Sequence, residues 1–279
     1  MKPRQFEEEL TFGQTYGEGT ERWGLAVSDD DEIAMTVSCR NAVQLFKSDL
    51  VTMLTFTKPE NRERDFNSPT GITFDKNSNI LVADSVNGFI HTFSRKFQSR
   101  EYEYKGRKFG EKGKSPRGLS IDKDGNIIVV DTENKLIEIV TPEGDVLRKI
   151  GPDAFIHPVH CVQCDKYFVV SDTFDNAIKV FDQEGAFLYK FGKKGGGVQE
   201  WSLPRCLAVD KVGNLLVCDH GNNRIQMFEL HESSVKLIGT IGKGGNGKVE
   251  LKQPFSVGVL SDGRIVVNDV GNKRMLKIK

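Results

Sequence analysis

Residues 203–228 read LPRCLAVDKVGNLLVCDHGNNRIQMF, and this one stretch holds the three-strand phrase that recurs along the chain. After Pro204 apolar residues alternate, with Leu207 and Val209 on one face, which is the period of a strand. A turn at Lys211-Val212-Gly213-Asn214 leads into Leu215-Leu216-Val217-Cys218, an unbroken apolar run of the kind buried on both faces. Asp219 ends that run, Gly221-Asn222-Asn223 turns the chain, and Ile225 and Phe228 mark a third strand. The phrase returns at 68–93, 115–140, 157–181 and 253–278, and in degraded form at 21–46, where Arg22 stands in the Pro column and Val37 in the Asp column. From Arg22 through Pro69, Pro116, Pro158, Pro204 and Pro254 the steps are 47, 47, 42, 46 and 50 residues. A repeat of roughly one propeller blade is the strongest architectural signal a sequence can carry.

A fourth segment follows most copies, clearest in Ala186-Phe187-Leu188-Tyr189-Lys190-Phe191-Gly192, and supplies an outer strand. The reading is therefore all-β, a six-bladed propeller of four-stranded antiparallel blades, with residues 1–279 as one domain. The last copy stops at its third strand. Glu9-Leu10-Thr11-Phe12-Gly13 resembles an outer strand with nothing before it, so a closing strand at about 6–12 is expected to pair with 274–278. Such closure removes an edge that would otherwise template association. Met1-Lys2-Pro3 begins a few residues before that strand, and the chain reads as a domain excised from a longer protein.

The chain has 39 basic and 39 acidic residues, a balance that by itself argues against a strongly basic nucleic-acid binder. No apolar run reaches the roughly 18 residues a membrane helix needs, and no signal peptide is expected. Five cysteines, an odd number within strands, suit a reducing compartment, and a cytoplasmic location is expected. The distribution of charge is less neutral than its total. Loops leading into strand a of the third, fifth and sixth copies carry Lys112, Lys114, Lys193, Lys194, Lys243 and Lys252. Turns at the opposite end carry Asp29, Asp30, Asp75, Asp122, Asp124, Asp165 and Asp210. One basic crescent and one acidic face are expected.

Phe191-Gly192-Lys193-Lys194-Gly195 followed by the 203–228 phrase resembles the NHL repeat, and the six copies together resemble the NHL domain of TRIM-NHL proteins. The resemblance implies a propeller used as a binding module. Its basic face would recognise RNA, as a single-stranded motif or a hairpin, in a post-transcriptional regulator or ubiquitin ligase. A platform for protein substrates of a TRIM-type ligase is the alternative. RING, B-box and coiled-coil parts are absent from this segment, so no ligase chemistry and no enzyme activity are expected in it.

Asp84, Asp131, Asp172, Asp219 and Asp269 could suggest a carboxylate ring, but an Asp ending a strand more simply accepts hydrogen bonds from the turn that follows. Residues that differ between copies are the better candidates. Arg117 and Arg205 follow Pro at the channel mouth, where a guanidinium can fork onto phosphate or stack on a base. Arg224 and Arg274 open strand c and serve either the turn or a ligand. His160 sits in a column otherwise holding Gly24, Gly71, Gly118, Cys206 and Ser256, so its ring is expected in the channel or at its mouth. His220, Phe174, Trp23, Phe255 and Trp201 add rings among the basic residues, the mixture that single-stranded nucleic acid uses, although Trp201 and Phe255 could equally pack inward. Cys161 and Cys164 have the spacing of a metal pair, but residues three apart on a strand face opposite ways. No cofactor or metal is expected, nor DNA or membrane binding, and the domain is expected to be monomeric. One remote alternative remains, a zinc-dependent amidating lyase using His157, His160 and His220.

Overall fold

The computed structural model describes residues 11–12, 22–56, 66–96, 102–110, 114–151, 153–245 and 250–279. It contains six four-stranded antiparallel sheets, five of them running in chain order from inner strand a to outer strand d, and these are the blades of a propeller. Blade 1 comprises Arg22–Val27, Ile33–Val37, Ala42–Phe46 and Thr52–Phe56; blade 2 comprises Pro69–Phe74, Ile80–Asp84, Phe89–Arg95 and Tyr102–Gly110. Blade 3 comprises Pro116–Ile121, Ile127–Asp131, Leu136–Val140 and Val146–Ile150, and blade 4 Pro158–Cys164, Tyr167–Asp172, Ala177–Phe181 and Phe187–Phe191. Blade 5 is Pro204–Val209, Leu215–Asp219, Arg224–Leu230 and Val235–Ile241. Blade 6 has three strands of its own, Pro254–Val259, Ile265–Asp269 and Arg274–Ile278.

Its fourth strand is Thr11–Phe12, antiparallel to the last strand, with Thr11 opposite Lys277 and Phe12 opposite Leu276. The ring is thus closed by the two ends of the chain, as expected; residues 6–10 of the anticipated closing strand lie outside the described residues. The six a strands neighbour one another around the axis, blade 6 meeting blade 1.

Every b strand is buried along its length, which is why its residues are apolar without alternation. Facing blades share one core: Val169 and Val180 of blade 4 pack with Leu215, Val217 and Phe228 of blade 5, around Phe191 and Trp201. Trp201 is fully buried there and donates its indole N–H to the Phe191 carbonyl at 3.4 Å. It packs inward, away from any ligand face, and truncating it would cost about 3–5 kcal/mol.

Two polar devices hold neighbouring elements in register. The Asp that ends the b strand of blades 2 to 6 reaches back to the loop entering its own blade: Asp219 accepts Ser202 N–H at 2.9 Å, Asp269 accepts Lys252 N–H at 2.7 Å, and Asp172 accepts His157 N–H at 2.7 Å. The same carboxylates also bind the following turn, as Asp131 does with Asn134 N–H at 3.1 Å. These buried acids are structural, and they tie both loops rather than the following turn alone. The residue after the Asp latches onto the next blade in blades 2, 3 and 4. Thr132 Oγ1 donates to the Pro158 carbonyl at 2.7 Å and Thr173 Oγ1 to the Pro204 carbonyl at 2.6 Å. Ser85 Oγ donates to the Pro116 carbonyl at 2.5 Å.

The inner strands of blades 1 to 3 approach their neighbours so closely that Gly24, Gly71 and Gly118 have no room for a side chain. A Cβ at Gly118 would lie 2.5 Å from the Val159 carbonyl oxygen and 3.1 Å from Cδ2 of His160. The space this glycine leaves is where the blade 4 histidine places its ring.

Candidate functional site

The residue after Pro opens each a strand at the end of the molecule where the d–a and b–c loops lie. Around the ring this position holds Trp23, Thr70, Arg117, Val159, Arg205 and Phe255. All six therefore border the channel mouth, and five of them, with Gly24, Gly71, Gly118, His160 and Cys206, line a small half-open recess. Arg205 stands just outside that lining, against Phe255.

The aromatic and basic members are in contact. Trp23 and Phe255 meet edge to face with centroids 4.9 Å apart. The Arg117 guanidinium lies 5.5 Å from the Trp23 ring centroid, and that of Arg205 5.2 Å from Phe255. A cation on a ring face is held by the quadrupole without its charge being cancelled. Neither arginine forms an ion pair among the described residues, and the Nε atoms of both are buried without a hydrogen-bond partner. Arg205 is held below its ordinary pKa by burial first and then by Arg117. This is an electrostatically unfinished site, because a buried donor without an acceptor carries its full desolvation cost.

His157 stacks on Phe174, centroids 4.1 Å apart and planes 17° from parallel. Phe174 is 58 % exposed, so the pair presents one open aromatic face beside the recess. Burial first, then Arg117 and Arg205, hold the His157 pKa below its usual range, while Asp172 and Glu133 pull weakly the other way. Ile156, Val86 and Val198 are also exposed on loops at this end.

His160 lies in the recess as its floor. Its Nδ1 accepts Leu207 N–H of blade 5 at 3.4 Å, and the ring donates to the Leu119 carbonyl of blade 3. Burial takes its pKa down to about 4, so the imidazole is neutral at pH 7 and spans three blades. His220 is not an open ring either. It occupies the latch position of blade 5, donating to backbone carbonyls of Gln253 and Pro254, and packs edge to face on Phe255 at 5.8 Å. Hydroxyls follow the Asp in blades 2, 3 and 4, at Ser85, Thr132 and Thr173, and the fold shows that His220 takes their place in blade 5.

The remaining candidates are engaged elsewhere. Arg224 donates to Asp219 Oδ2 at 2.7 Å and to the Gly197 and Glu200 carbonyls at 2.6 and 3.0 Å. Arg274 pairs with Asp269 at 2.8 Å and the Glu250 carbonyl at 2.6 Å. Both pin entry loops, and the structure brings neither to the recess. Lys114 is paired with buried Glu138 at 2.8 Å. Lys193 is exposed and meets Glu200 at 3.3 Å; Lys194 is exposed beside it, and Lys112 lies outside the described residues. Among the described residues no group of three or more His, Cys, Asp or Glu side chains is arranged to hold a metal ion. Cys161 and Cys164 are buried free thiols, their pKa values raised by burial.

Residues 154–242 match the family DUF5128, described as a 6-bladed β-propeller, and residues 114–139 match the NHL repeat. The chain thus carries an NHL repeat within a six-bladed propeller. No curated protein matches the sequence. Among solved structures, virginiamycin B lyase from Staphylococcus aureus with quinupristin aligns with TM-score 0.66 at 15 % identity, over 96 % of this chain and 84 % of that one. A gluconolactonase from Xanthomonas campestris aligns with TM-score 0.69 at 14 % identity, over 100 % and 96 %. The WD40 propeller domain of Doa1 gives 0.61 at 15 % identity, over 97 % and 96 %. At such identities the likeness shows a shared fold. It nevertheless corrects the expectation that this segment is not an enzyme, because two of these neighbours are enzymes built on this fold.

Proposed function

We propose that the d–a end of the propeller is an RNA-binding surface centred on Arg117 and Arg205. The carrying observation is the pair of arginines at the channel mouth, seated on Trp23 and Phe255, with no carboxylate partner among the described residues. Phosphate is the ligand that forks onto guanidinium with both charge and geometry matched. The exposed His157–Phe174 stack beside them is a platform on which a base can lie. Only single-stranded segments offer unstacked bases to such a platform, so a loop or linear motif suits the surface better than a regular duplex.

The resemblance to TRIM-NHL domains supports the same reading, in which the propeller is the recognition end of a post-transcriptional regulator or ubiquitin ligase. Five unpaired thiols support a reducing, cytoplasmic setting, and no helix among the described residues is long and apolar enough to cross a membrane. A protein partner is the second reading, favoured by the exposed Val86, Ile156, Phe174 and Val198 at this end.

Fluorescence anisotropy with random-sequence single-stranded RNA separates the two. RNA affinity should fall steeply between about 50 and 200 mM salt, with a slope that counts neutralised phosphates. Absence of any salt-sensitive association at the lower concentration rejects the RNA reading. Unchanged affinity in Arg117→Glu, Arg205→Glu places the surface elsewhere.

A further inference from the structure

We infer that the recess receives a terminal phosphate monoester of a nucleotide, free or at the end of an RNA strand. This rests on the RNA-binding reading of the same face and narrows it.

Charge points to a monoester. Arg117 and Arg205 bring two positive charges to one mouth, and no described carboxylate pairs with either. Glu133 borders the neighbouring groove with Arg117 but makes no ion pair with it. His157 beside them is held below its usual pKa and adds no charge at neutral pH. An internal phosphodiester offers a single negative charge, whereas a monoester carries about −1.5 to −2 at pH 7. The terminal group is the closer match to two uncompensated guanidiniums.

Shape points the same way. His160 closes the axis by hydrogen bonding to blades 3 and 5, and the strands bearing Gly24, Gly71 and Gly118 converge around it. The recess is small and lined by His160 and these glycine-bearing strands, a shape that a chain end fits better than a continuous strand. The ring faces of Trp23 and Phe255 hold the guanidiniums from one side and leave their N–H edges as the available donors. Each Nε is already withdrawn from water with no acceptor, and an oxyanion seated between the two arginines is the acceptor this geometry lacks.

The test compares three oligoribonucleotides of one sequence, with a 5′-phosphate, a 3′-phosphate or hydroxyls at both ends, by anisotropy. Adenosine monophosphate binding is followed separately through the fluorescence of Trp23, with Trp201 a buried constant background. One phosphorylated end should bind at least about tenfold tighter than the hydroxyl-ended strand. That advantage should vanish in the double variant Arg117→Gln, Arg205→Gln, whose fold is checked by thermal melting. Equal affinity of the three strands overturns the inference and leaves the RNA reading standing. Binding of the mononucleotide without any RNA binding supports the phosphate site and overturns the RNA reading. No binding of either overturns both. The comparison among strands uses the unmodified protein, so a poorly folded variant does not remove the test.

Discussion

Nδ1 of His160 accepts the backbone N–H of Leu207 at 3.4 Å, joining the inner strands of two neighbouring blades through a side chain where other blades have glycine, cysteine or serine. That bond requires an unprotonated Nδ1, so protonation and the inter-blade tie are mutually exclusive. His220 differs, since it is latched to blade 6 by donating to backbone carbonyls, a bond that survives protonation; burial is the first cause of the lowered pKa in both rings, and Arg205 adds to it at His220.

The consequence is a stability that depends on pH. Both rings have folded pKa values of about 4 against an ordinary 6.5, so the unfolded chain binds protons more readily between those limits. Stability from these groups is fully present above pH 6.5 and is lost as pH falls toward 4. At about 1.4 kcal/mol per tenfold change in proton affinity, discounted for residual solvent contact, the two together should cost about 2–4 kcal/mol. Urea midpoints measured from pH 7 to 4.5 should fall, and a His160→Gln, His220→Gln variant should show a shallower decline. An equally steep decline in that variant would assign the pH dependence to other groups.

Gly118→Ala should be among the most damaging single-methyl additions in the molecule. The new Cβ meets the Val159 carbonyl oxygen at 2.5 Å, and that oxygen belongs to the inner strand of the next blade, which cannot withdraw without opening the ring. Overpacking of this kind costs about 1–3 kcal/mol and more where backbone must move. Gly196 is the control: a Cβ there has its nearest contact at 3.8 Å, so Gly196→Ala should change stability by less than about 0.5 kcal/mol. Similar midpoints for the two variants in chemical denaturation would refute the crowding argument.

How much of this was legible follows from what repetition records. Pro69, Gly71, Asp84 and Asn87 recur because each blade solves the same local problem, so the six blades and the closing strand could be read from one phrase. The shared post-Pro position placed Trp23, Arg117, Arg205 and Phe255 around one mouth before any coordinates. Their pairing was not readable: Arg117 lies over Trp23 from two blades away, a contact set by ring closure. Lys114 looked like a free cation until Glu138 of the same blade was seen beneath it. Trp201 looked like a loop aromatic because an outer-loop residue gives no period by which burial can be inferred. His160 and His220 stand out in the sequence as departures from their columns, but whether a departure faces solvent or plugs a gap depends on the neighbouring blade.

Thr173→Val tests the latch between blades 4 and 5. Valine preserves the shape of the buried side chain and removes the donor that binds the Pro204 carbonyl at 2.6 Å. An acceptor left unsatisfied in a dry interface should cost about 1–3 kcal/mol. Hydrogen exchange should show the loss concentrated in amides of strands 158–164 and 204–209. A stability equal to the parent would mean the hydroxyl is dispensable and that packing alone sets the blade junction.

Arg205→Gln separates binding from stability. In the free protein this arginine is largely withdrawn from water, repelled by Arg117, and leaves its Nε without an acceptor, so its charge works against folding. Removing that charge should leave the melting temperature unchanged or raise it, by an amount equivalent to about 1 kcal/mol, while RNA affinity falls by at least about tenfold. Opposite signs are the signature of a residue kept for its ligand. A variant that loses stability and binding together would instead show that Arg205 holds the mouth in shape, and the guanidinium pair would then have to be reassigned from ligand contact to architecture.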